Sequence, residues 1–87
     1  MVEAPTTSDL FETRAISYDE VNAAADAYLV RPARGLVPIA KDYLLDIAAA
    51  VEACEFARWA MASGAATDHM RRAAVRTAIL MARPVQV

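Results

Sequence analysis

Cys54 and His69 are the only residues of their types in the chain, and together they are its only material for a nucleophile and its base. Cys54 falls in an apolar seam, where a thiol behaves as a small hydrophobe. His69 falls at the expected exposed start of a later helix, so no dyad is expected. Asp42 and Asp46 stand four apart, the spacing of one helix face, but no histidine joins them. One His and one Cys without paired spacing make no metal site. Two glycines leave no phosphate-cradling loop. Paired carboxylates need a pocket, and alanine-rich helices offer little concave volume. The expectation is a non-enzymatic protein with no catalytic, cofactor-binding or metal residues and no small-molecule substrate.

Four arginines, Arg71, Arg72, Arg76 and Arg83, are the other chemical resource. Residues 1–30 hold six acids against Arg14, and residues 61–87 hold these four arginines against Asp68. The net charge of −2 therefore hides a gradient along the chain. Either the acidic third packs beside the basic third, or the arginines form a surface for nucleic acid or an acidic partner. The segment Ala60 to Met70 carries a small residue at Ala60, Gly64 four later and apolar Met70 six after that. This spacing is similar to a helix-turn-helix motif, which implies Arg71, Arg72 and Arg76 facing a groove and its phosphates. The resemblance covers about eleven residues. The helix expected before the turn is far longer than the usual unit, so DNA binding by residues 60–76 ranks as the alternative.

The chain of 87 residues amounts to one domain. Hydrophobic residues make up 57 %, but 21 of the 87 residues are alanine, which favours helix and buries little area each. A core this thin points to a second subunit or a partner. Arg outnumbers Lys eight to one, a composition associated with GC-rich bacterial or phage genes. A single cysteine fits a reducing compartment. The acidic start lacks the apolar run of a signal peptide. The stretch Leu36 to Val51 is broken by Lys41, Asp42 and Asp46, so no membrane span is expected. The expected location is the cytoplasm.

Few glycines, few prolines and no β-branched runs predict an all-α fold. Residues 1–16 are expected to be mobile, with Leu10 and Phe11 as either a local anchor or a docking motif. A single helical domain follows over 17–84, with helices at about 18–30, 38–63 and 68–83. The first starts at the capping box Ser17-Tyr18-Asp19-Glu20 and stops before Pro32. The second begins with Pro38 in its first turn and runs to Ser63 before Gly64. The third is capped by Thr67 or Asp68 and stops at Arg83, before Pro84. The expected architecture is a small three-helix domain whose long central helix forms an antiparallel hairpin with the third.

That central helix has two apolar faces. Leu44, Ile47, Val51, Cys54, Arg58 and Met61 form a seam, with Arg58 as a polar residue inside it. Such seam residues set register and oligomer state, unless Arg58 reaches out to Glu55. Leu45, Ala49, Glu52, Phe56 and Trp59 form the second face, which so small a domain has little means to cover. The functional expectation is a small helical interaction or regulatory protein. It acts as a homodimer and on another protein through this second face.

Overall fold

The computed structural model describes residues 4–87. Residues 1–3 of the expected mobile segment lie outside the described residues. Their neighbours form α1 (Thr7–Glu12), capped by Thr6, which exchanges hydrogen bonds with Asp9. Leu10 is buried and anchors this helix to the core, whereas Phe11 is exposed. Next comes α2 (Tyr18–Val30), which starts at the reciprocal Ser17–Glu20 cap, with bonds of 2.9 and 3.1 Å. Its inward stripe is Val21, Ala24 and Ala25.

The all-α, three-helix-bundle expectation fails at residues 36–46. Here the chain forms a hairpin of β1 (Leu36–Ala40) and β2 (Tyr43–Asp46), joined at Lys41–Asp42. A third short strand, β3 (Val85–Gln86), pairs antiparallel with β2 and completes the order β1-β2-β3. Pro38 therefore sits on an edge strand, one of the few sheet positions that tolerates a missing amide. Ile39 is a bulge residue between Pro38 and Ala40, and it is buried. Asp46 closes the hairpin and opens the next helix by accepting a 3.0 Å bond from the Ala49 amide. It is an N-cap, not one of two acids on a helix face.

The expected long helix is thus reduced to α3 (Ile47–Ala53) and α4 (Glu55–Ala62). They are separated by Cys54 alone, in extended conformation at φ −106°, ψ 116°. No glycine or proline breaks the chain here. The single extended residue re-aims α4 so that Ala57 and Ala60 are wholly buried on the side facing α5 (Asp68–Met81). Ala57 thereby takes the inward place that a continuous seam would give to Arg58, and Arg58 is exposed.

The centre of the molecule is α5, which touches α1, α2, α3 and α4. Thr67 caps it through the Met70 amide at 3.1 Å. Its buried face is Ala74, Val75, Ala78 and Ile79. Two small residues on that face let neighbouring helices approach closely. Met81 is exposed, and the helix ends there, not at Arg83. The first and last described segments are tied beside it. The Thr7 amide donates to the Ala82 carbonyl at 2.8 Å, and the buried Thr7 hydroxyl donates to the same oxygen at 3.3 Å. The Arg83 Nε donates to the Ala4 carbonyl at 2.9 Å.

Candidate functional site

The outward face of α4 is the most unusual surface of the molecule. With Ala57 and Ala60 turned inward, Phe56 and Trp59 are forced outward one turn apart. Their rings stack with centroids 6.4 Å apart and an interplanar angle of 18°. Phe56 keeps 43 % and Trp59 49 % of its surface in water. The chain has six aromatic residues in all, so leaving the only tryptophan half-exposed gives up much of its scarce packing material. Glu55 and Arg58 flank the pair on the same exposed side of the helix. Arg58 makes no ion pair with Glu55 or with any other described residue, so it belongs to the rim of this patch and not to a buried seam.

The other residues expected on this face are scattered by the hairpin. Leu45 lies on β2 and is buried in the core. Ala49 and Glu52 are exposed on α3. Glu52 pairs with Arg34 of the α2–β1 connector at 3.1 Å, with both side chains mostly in water. Ala49 borders a shallow hollow beside the sheet, together with Leu36, Leu44 and Val85. Leu36 and Val85 are both more than half exposed. These sheet residues escape a reading that expects helix. Their signal is the two-residue period of the hairpin, which places Leu36 and Pro38 on one side and Val37 on the other.

The arginines are held within the fold. Arg72 reaches from α5 to Asp26 of α2, with contacts of 2.7 and 3.0 Å to its two carboxylate oxygens. Arg76 donates to the Asn22 side chain at 3.0 Å, and its guanidinium lies 5.7 Å from the Tyr18 ring centroid. Arg71 donates to the carbonyls of Ala60 and Ser63 at 3.3 and 3.1 Å, closing the C-terminal end of α4. It also pairs with Asp68 at 3.5 Å. Arg83 joins the first and last described segments. The acidic first third thus packs against the basic last third, and α5 is a central helix with its sides covered by four others.

Cys54 faces Ala78, Met81 and Ala82 near the C-terminal end of α5. His69 stands nine residues earlier on that helix, about 14 Å along the axis at 1.5 Å per residue. The two are not brought together. Among the described residues no three His, Cys, Asp or Glu side chains cluster to hold a metal ion. No helix among them is long and apolar enough to cross a membrane. No family model, curated protein or solved structure matches the chain.

Proposed function

We propose that the chain is a non-enzymatic, cytoplasmic protein-interaction module that binds through the outer face of α4, with a second copy of itself as the first partner to test. The observation that carries this reading is the stacked, half-exposed Phe56–Trp59 pair on a helix whose opposite face is fully packed. Aromatic side chains bury about 150–250 Å² each, so the portions left in water amount to about 200 Å². At about 25 cal/mol per Å² their burial contributes about 5 kcal/mol. That is enough for a hot spot, with Glu55 and Arg58 as a polar rim. Stacking holds both rings in one geometry in advance, which lowers the ordering cost of association. The lone, buried Cys54 suits a reducing compartment.

The internal bonds of Arg71, Arg72 and Arg76 weigh against the DNA-binding alternative, because using these side chains on phosphates competes with α2–α5 and α4–α5 links. The test is the solution mass of the chain by light scattering on a sizing column. The wild type is compared with the Phe56→Ala/Trp59→Ala variant, with circular dichroism on both. A dimer that the double substitution weakens at least about 100-fold, at unchanged helicity, is the expected result. A dimer of undiminished strength in the variant, or a wild type that stays monomeric at every concentration, overturns self-association through α4.

A further inference from the structure

Between α2, β1 and the start of α3 lies a small apolar pocket of about 130 Å³. Buried Ala24 and Ile47 line it together with Ala27 and Val37. Alanine at 24 and 27 leaves space on this side of α2. Two polar side chains are among those that line the pocket, half-buried Tyr28 and exposed Arg31. Neither side chain has a hydrogen-bond or ion-pair partner among the described residues. Other charges of this region are already matched, Arg34 by Glu52 and Asp26 by Arg72. The C-terminal end of α2 adds about half a negative charge, spread over its last carbonyls, against the full charge of Arg31. The connector that carries Arg31 is held by Pro32 and by Gly35 at φ 98°.

We infer that this pocket binds a small apolar carboxylate, with the apolar group seated between Ala24, Ala27, Val37 and Ile47 and the carboxylate on Arg31, assisted by the Tyr28 hydroxyl. The size decides the class. An enclosed cavity of about 150 Å³ takes benzene, so the part seated in this half-open hollow of about 130 Å³ is a single ring or a branched aliphatic group. The charge decides the head group, because a guanidinium matches a carboxylate in two parallel hydrogen bonds and Arg31, the one cation among the described residues that line the pocket, balances a single negative charge and not the double charge of a phosphate monoester. The same chemistry is carried by a free metabolite-sized acid and by the last residue of a polypeptide ending in an apolar side chain. The site is independent of the α4 surface and stands or falls separately from it.

The experiment is a titration of the isotopically labelled full chain with sodium benzoate, followed by amide chemical shifts. Saturable shifts at Ala24, Ala27, Val37 and Ile47, with affinity in about the millimolar range for so few atoms, are the expected result. Arg31→Gln weakens benzoate about tenfold and leaves benzyl alcohol unchanged. Ala27→Leu, at an exposed wall position, abolishes binding of both; should it unfold, Arg31→Gln carries the test alone. Short peptides ending in Phe, with free or amidated carboxyl groups, distinguish the source. A free-carboxyl peptide that binds more tightly than benzoate assigns the site to a polypeptide terminus, and a weaker one to a free acid. Absence of saturable shifts with both probes, shifts centred elsewhere, or benzoate affinity indifferent to Arg31→Gln overturns the inference.

Discussion

Replacing Arg14 with glycine should make the protein more stable, although the substitution removes a side chain and adds no contact. Arg14 is the only non-glycine residue with positive φ among those described, at 65°. It stands just past α1, where its amide donates to the Phe11 carbonyl at 3.1 Å and the Ala15 amide donates to the Leu10 carbonyl at 2.8 Å. This pair of bonds is the Schellman closure of a helix, which favours glycine at the position Arg14 occupies. A left-handed conformation costs an L-residue about 1–2 kcal/mol. Glycine removes that cost but gives the unfolded chain more freedom, worth about 0.5–1 kcal/mol. The Arg14 side chain is exposed and has no hydrogen-bond or ion-pair partner among the described residues, so little else changes. The net expectation is a gain of about 0.5–1 kcal/mol, or about 3–6 °C in Tm for a domain of this size. Thermal and denaturant unfolding, followed by circular dichroism, measure it. Gly35→Ala is the mirror control. Gly35 has φ 98°, and a Cβ there meets nothing within 4 Å, so the loss expected on substitution is purely conformational. A Tm for Arg14→Gly equal to or below wild type would refute both the closure of α1 at Arg14 and the assignment of its strain.

Three further outcomes follow from the packing around α5. Ile79→Ala removes a fully buried side chain from the central helix and should cost about 2–5 kcal/mol, a large part of the stability of so small a domain, as read by urea unfolding. Exchanging the charges of the Arg72–Asp26 pair should show a coupling of about 0.5–1 kcal/mol, because both side chains are near half exposed; each single reversal destabilises, the double reversal restores, and added salt shrinks the difference. Buried Cys54 should react with a thiol reagent only as fast as the fold opens, so labelling as quick as in urea-unfolded protein would place the thiol at the surface instead.

Much of the local architecture is legible in residue types. Ser17 with Glu20, and Thr67 before Asp68, mark helix starts because a side-chain oxygen that satisfies a free amide is a local device. Pro32 and Pro84 mark ends for an equally local steric reason. The hairpin is legible only in part. Val37, Ile39 and Tyr43 favour strand and Asp46 is a helix-capping type, yet Pro38 fits a helix start as well as an edge strand. An apolar run of this length supports either period, and the choice rests on the pairing of Leu44 with Val85 from the far end of the chain.

The caps at Ser17 and Thr67, the charge gradient and the shortage of large core side chains are set by single residues or near neighbours and are readable from residue types alone, whereas the caps at Thr6 and Asp46 are not. Where that charge goes, and which face of each helix is used, depends on how distant elements pack. Asp26 and Arg72 meet because α2 lies against α5. The chain breaks at Cys54 without any breaking residue because the break lets Ala57 and Ala60 pack toward α5, and that same turn puts Phe56 and Trp59 into water. Burial against a distant element outweighs the cost of interrupting one helix, and no local pattern records that balance.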